Sequence, residues 1–68
     1  MDLTPKQKAF ADEYIKNGGN ASDAALRAGY APKNARITGA KNLTNSNISA
    51  YIAEKQAKIE KQKGTDIM

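Results

Sequence analysis

Large apolar residues recur along this chain at helical spacing and never alternate for the length of a strand. Phe10, Tyr14 and Ile15, with Ala11, fall on one side of a first helix, and Lys6, Lys8, Asp12, Glu13 and Lys16 fall mostly on the outward side. Thr4 is a natural cap for it, Pro5 suits its first position, and Gln7 completes a Thr-x-x-Gln capping box. The helix should run to about Asn17 and stop at Gly18-Gly19. A second helix follows at once, from about Ala21 to Ala28, with Asn20 as its cap and Asp23 at its third position, where a negative charge suits the helix start. Gly29 can end it in a left-handed conformation, and Pro32 is placed to open a third helix reaching about Leu43. After the polar cluster Thr44-Asn45-Ser46-Asn47, a fourth helix is predicted from about Asn47 to Lys63, with Ile48, Tyr51, Ile52 and Ile59 on its apolar stripe. Without a valine or a sustained alternating run, no strand is expected. The fold class read from the pattern is all-α, a small domain of about four helices.

The segment Asn20 to Leu43 organises the rest. Two short helices joined by the turn Gly29-Tyr30-Ala31 have the form of a helix-turn-helix. Ala25 and Gly29, four apart, resemble the small residue and turn glycine of such proteins generally. Rotation at about 100° per residue divides the third helix into two unlike faces. Ala35, Gly39 and Leu43 form a small apolar side that another helix can approach closely. Lys33, Arg36, Ile37, Ala40 and Lys41 lie opposite, flanked by Asn34. Cations, an amide and small or apolar groups are the side chains that meet phosphates, base edges and thymine methyls in a major groove. A plain solvated face usually mixes both signs, yet no acid occurs from Ala24 through Ile52.

Sixty-eight residues hold one small domain. Many of its 40% hydrophobic residues are alanine; the large ones are chiefly Leu3, Leu26, Tyr30 and Leu43 beside those already named. A core of that size supplies only about 3–5 kcal/mol, so the domain is expected to lean on an assembly or a longer parent chain. From Glu54 the sequence EKQAKIEKQK is charged and helix-forming with Ile59 as its one large apolar residue, which suggests a projecting extension leading toward an oligomerisation module or, more plainly, a solvated helix. The expected division is a domain over residues 1–53 and an extension over 54–68, whose last residues, Gly64 to Met68, show no pattern and are expected to be disordered.

Eleven cations against seven acids give a net charge of +4, which suits a polyanionic partner. The absence of cysteine and histidine leaves no disulfide, thiol nucleophile, imidazole base or common zinc site, and no metal or other cofactor is expected. Asp12 and Glu13 are adjacent and point apart, and Gly18-Gly19 lacks the lysine and spacing of a phosphate loop, so no enzyme is expected. Neither a membrane span nor a signal-peptide core is apparent, and a cytoplasmic location is expected. Three Asn-x-Ser/Thr sequons, at Asn20, Asn42 and Asn47, lie at predicted helix ends and are read as caps. Tyr14, Tyr30 and Tyr51 are expected to be core aromatics with wet hydroxyls.

Over nearly its whole length the chain resembles the N-terminal domain of bacteriophage terminase small subunits. The residues that carry the resemblance are an opening L-T-x-K-Q-x-x-F from Leu3 to Phe10 with Tyr14, the N-A-x-x-A-A-x-R-A-G-Y segment from Asn20 to Tyr30, and a closing segment from Asn47 to Ile52 with Tyr51. Two positions depart from it. Ala31 stands where a capping Ser is frequent, which loosens the start of the third helix, and Asn42-Leu43 stands where an apolar pair is frequent, which thins the core behind it. The resemblance implies a subunit that recognises a packaging site in concatemeric phage DNA and helps a large, ATP-hydrolysing nuclease subunit to start, inside the infected bacterial host. It also implies a homo-oligomeric ring built by segments after the DNA-binding domain, so this stretch alone is expected to be monomeric.

On this reading the third helix enters a major groove of double-stranded DNA. Lys33, Asn34 and Arg36 approach base edges, with Arg36 foremost, while Ile37 shares their face and Lys41 reaches a phosphate. Backbone N–H groups around Ala21 and Ser22 offer a further phosphate contact. Lys6 is a candidate too, because a cation in a helix's first turn opposes the dipole; solubility is the plainer use for Lys6 and Lys8. Two other functions fit the same residues. A transcriptional regulator would need a palindromic operator and a dimer interface, and a protein-interaction module would dock its basic face on the packaging motor.

Overall fold

The structure, a computed structural model, describes the backbone of residues 3–67 and the side chains of residues 3–58. In chain order it holds α1 (Pro5–Lys16), α2 (Ala21–Ala28), a 3-10 turn (Pro32–Asn34), α3 (Ala35–Thr44) and α4 (Ser46–Ile67), with no strand among the described residues. The chain is a small all-α domain.

Local chemistry sets most of the boundaries. At the start of α1 the Gln7 amide N–H donates to Thr4 Oγ1 at 3.1 Å and the Thr4 N–H donates to Gln7 Oε1 at 3.0 Å, which completes the capping box. At its end the Asn17 side chain does two jobs. Its Oδ1 accepts from the Gly19 and Asn20 N–H groups at 3.2 and 2.9 Å, and its Nδ2 donates to Asn20 O and to Asp23 Oδ2 at 2.9 and 3.1 Å. The end of α1 is thereby tied to the start of α2. There Asn20 Oδ1 accepts from the Asp23 N–H at 3.0 Å, the expected cap. Gly29 closes α2 at φ +101°, a conformation that favours glycine, and the following Tyr30 N–H returns to Ala25 O at 3.0 Å.

Alanine controls how the first three helices pack. Among the described residues, four of the seven in the buried core, Ala11, Ala24, Ala25 and Ala35, are alanine, and only Phe10 and Ile48 are large and fully buried. Small side chains let helix backbones approach closely and leave little space for long ones. Leu26, expected in the core, is therefore 45% exposed, because α2 turns its Ala21-Ala24-Ala25-Ala28 side inward and Leu26 falls on the far side. Phe10 stacks on Tyr14 with ring centroids 6.0 Å apart.

The fourth helix begins at Ser46, close to the expected start. Asn45, not Asn47, is its cap: Asn45 Oδ1 accepts from the Asn47 and Ile48 N–H groups at 2.9 and 3.4 Å. Ile48, Tyr51 and Ile52 pack on the core, and Ala53 to Lys58 are exposed. The expected core residue Ile59 lies outside the described side chains, and Met68 lies outside the described backbone. Helix continues through Gly64 to Ile67, where an unpatterned tail was expected; one glycine costs a helix only about 1 kcal/mol and does not by itself stop a run of good helix formers. Asp12 is half-buried rather than outward, since its Oδ1 accepts the Tyr51 hydroxyl proton at 2.8 Å and joins α1 to α4. The Tyr51 hydroxyl is thus bonded within the protein. Burial first, then the Asp12 hydrogen bond and negative charge, push its pKa above the ordinary tyrosine value.

Asn42 lies within α3 instead of capping an end, and its Nδ2 is buried without a hydrogen-bond partner among the described residues. An unpaired buried donor costs about 1–3 kcal/mol. Asn42→Leu is therefore expected to raise the thermal unfolding midpoint by several degrees, since about 1 kcal/mol corresponds to roughly 4–8 °C in a domain of this size. Circular dichroism melts of the two proteins check it, and an unchanged or lowered midpoint would show that the amide is satisfied in solution.

Candidate nucleic-acid interface

The candidate surface is made by the way α3 sits on α2. Ala35 and Gly39 are buried and Leu43 is half-buried, so the small side of α3 faces the core as the spacing predicted. The approach at Gly39 is close: a Cβ added there would lie 2.6 Å from the Ala21 carbonyl oxygen, 2.9 Å from its carbon and 3.2 Å from Ala21 Cβ. With that side sealed, Arg36, Ile37, Ala40 and Lys41 stand exposed on α3, and Ile37 is 69% exposed.

Lys33 and Asn34 are exposed as well, but they belong to the 3-10 turn ahead of α3 and not to its first turn. The helix starts three residues later than Pro32 because Ala31 brings no side-chain oxygen to cap it, and Asn34 makes no side-chain cap bond either. Both residues remain at the N-terminal end of α3, where side chains reach beyond the helix.

The start of α2 is less open than its sequence suggested. Ser22 is half-buried in the first turn, the Asp23 N–H is already taken by Asn20, and the Asp23 carboxylate occupies the positive end of the helix. Arg27 Nε donates to Asp23 Oδ2 at 2.8 Å, and this bond, followed by the one from Asn17, holds the Asp23 carboxyl below the usual carboxylate range. Arg27 is in turn stabilised in its charged form. An open hollow beside this network is lined by Glu13, Lys16, Asn17 and Arg27; it carries both signs and no selective chemistry. No set of three or more metal-ligating side chains gathers among the described residues, and no described helix is long and apolar enough to cross a membrane.

Lys6 is brought to the turn between α2 and α3. Its Nζ stands 5.2 Å from the Tyr30 ring centroid, and its Cε lies 3.5 Å from where a Gly29 Cβ would be. No periodic pattern signals this contact, since residues 6 and 30 belong to different elements.

The arrangement defines a small all-helical domain that presents an exposed basic helix face. The chain belongs to the terminase small subunit family: the model of that family matches residues 3–68. It is 44% identical over 61 residues to the terminase small subunit of Staphylococcus phage 80alpha, covering 90% of this chain and 42% of that protein. With the terminase small subunit of Bacillus phage SPP1 it shares 42% identity over 60 residues, covering 88% and 41%. A PBSX phage terminase small subunit of Bacillus subtilis strain 168 is 37% identical over 51 residues, covering 75% of this chain and 19% of that protein. The chain spans about two fifths of the length of the first two relatives.

Proposed function

We propose that α2, the Gly29-Tyr30-Ala31 turn and α3 form a helix-turn-helix that binds double-stranded DNA at a phage packaging site. The observation that carries this reading is the outer side of α3 and its leading turn. Lys33, Asn34, Arg36, Ile37 and Lys41 are all exposed there, within a stretch that holds no acid from Ala24 through Ile52. In the proposed complex the N-terminal half of α3 lies in the major groove, Arg36 pairs with a guanine edge, Asn34 and Lys33 serve neighbouring bases, Ile37 meets a methyl group, and Lys41 holds a phosphate. The first turn of α2 near Ser22 contributes at most a weak backbone contact, given the carboxylate already there.

The role is recognition and not catalysis, and no cofactor takes part. In the assembly proposed around it, several copies are held in a ring and engage one bent duplex, so that weak single contacts gain through effective concentration. The large, ATP-hydrolysing terminase subunit is the proposed protein partner, and the cytoplasm of the infected bacterium the proposed location.

Fluorescence anisotropy on duplexes tiled across the packaging region, with a scrambled control and at two salt concentrations, tests the reading. Binding is expected to favour one tile and to weaken as salt rises, because each neutralised phosphate releases counterions. Equal, salt-sensitive binding to every duplex would place specificity in the assembled ring. No binding even at low salt would contradict the reading and favour docking of the basic face on a protein.

A further inference from the structure

We infer that Lys6 contacts a backbone phosphate flanking the groove that α3 enters, and that Tyr30 is the residue that positions it. This rests on the DNA-binding reading above and adds to it a residue pair outside α3.

The geometry is specific. Lys6 lies in the first turn of α1, which contains no acidic residue, so its charge opposes the helix dipole with no local compensation from that turn. It is also separate from the three ion pairs found among the described residues, Lys16–Glu13, Arg27–Asp23 and Lys58–Glu54. Instead its Cε comes to 3.5 Å from where a Gly29 Cβ would stand, and its ammonium sits over the Tyr30 ring, 5.2 Å from the centroid. The ring face attracts the cation without neutralising it, so the full positive charge stays available to an anion on its open side. Tyr30 follows the cap of α2 directly and precedes Pro32, the first residue of the turn that leads into α3. The ammonium is therefore held over Tyr30, two residues ahead of Pro32 and the turn that leads into the end of α3 proposed to meet the duplex. Phosphate is the matching ligand there, because a lysine binds it as a point charge with no demand for planar geometry.

Salt-dependent anisotropy on the favoured tile and the scrambled duplex tests the inference with Lys6→Gln, Lys6→Arg, Tyr30→Leu and Tyr30→Phe. Lys6→Gln is expected to weaken both duplexes by one common factor and to lower the salt slope by about 0.9, the value of one phosphate contact, while leaving the preference between duplexes intact. Lys6→Arg and Tyr30→Phe should keep the wild-type slope, since each retains the cation or the ring. Tyr30→Leu should lose the same slope as Lys6→Gln, and the Lys6→Gln/Tyr30→Leu double variant no more than either. If Tyr30→Leu does not fold, the aromatic-ring shift of the Lys6 ε-methylene protons in the wild-type NMR spectrum decides the positioning role: upfield-shifted protons support it, and unshifted protons overturn it. A wild-type salt slope in Lys6→Gln, with Arg36→Ala still impaired, would overturn the phosphate contact and leave the DNA-binding reading standing. Failure of the wild type to bind any duplex would remove both.

Discussion

Gly39→Ala is expected to lower the thermal midpoint by several degrees and to weaken DNA binding, although alanine is the better helix former. On propensity alone the change would stabilise α3 by about 1 kcal/mol. The new methyl, however, would stand 2.6 Å from the Ala21 carbonyl oxygen and 2.9 Å from its carbon. These are backbone atoms in the first turn of α2, held by the Asn20 cap and the Asn17-Asp23 bond, and they cannot swing aside as a flexible side chain would. Overpacking of this kind costs about 1–3 kcal/mol, and contact with fixed backbone atoms puts this site at the upper end, so after the gain in propensity the net loss approaches about 2 kcal/mol. In a core whose described residues include two large, fully buried side chains, that is a substantial share of the total. Relief comes only by moving α3 off α2, and Arg36 and Lys41 move with it. Thermal unfolding followed by circular dichroism gives the sign at once. A raised midpoint would mean that propensity wins and that the two helices do not meet this closely.

How much of this could be read beforehand depended on the range of the interaction. Thr4 with Gln7, Asn20 with Asp23, and Gly29 all act within four residues, and the ends of α1 and α2 followed from them. The inner side of α3 was also legible, because Ala35, Gly39 and Leu43 repeat at one helical spacing. The start of α3 was placed too early because Pro32 suits the first turn of a 3-10 segment as well as that of an α-helix, and Ala31 supplies no cap to distinguish them. Leu26 was assigned inward on hydrophobicity, whereas closeness of approach selected alanine for the inner side of α2. Two contacts were invisible in the sequence. Tyr51 meets Asp12 across 39 residues, and Lys6 meets Tyr30 across two helices; neither pair has a periodic signature. The exposure of Arg36, Ile37 and Lys41 was legible from rotation about α3.

The second large effect is that of Arg36→Ala. The residue stands exposed in the first turn of α3, and truncating it leaves the buried side of the helix, Ala35 and Gly39, untouched, so the fold should survive. An arginine that reads a guanine edge with two hydrogen bonds provides about 1–3 kcal/mol of discrimination, or roughly 5- to 150-fold in relative affinity. Lys41→Ala removes the same charge from the same face, but the phosphate contact proposed for it carries no sequence information, so it should weaken all duplexes alike. The two variants therefore separate reading from holding.

The central claim, that the outer side of α3 reads DNA, is tested most directly by the ratio of dissociation constants for the favoured packaging tile and the scrambled duplex. That ratio is measured at one fixed salt concentration for the wild type, Lys41→Ala and Arg36→Ala. The account predicts a clear preference in the wild type, the same preference at lower affinity in Lys41→Ala, and its collapse toward unity in Arg36→Ala. An Arg36→Ala protein that stays folded and binds both duplexes as the wild type does would contradict it.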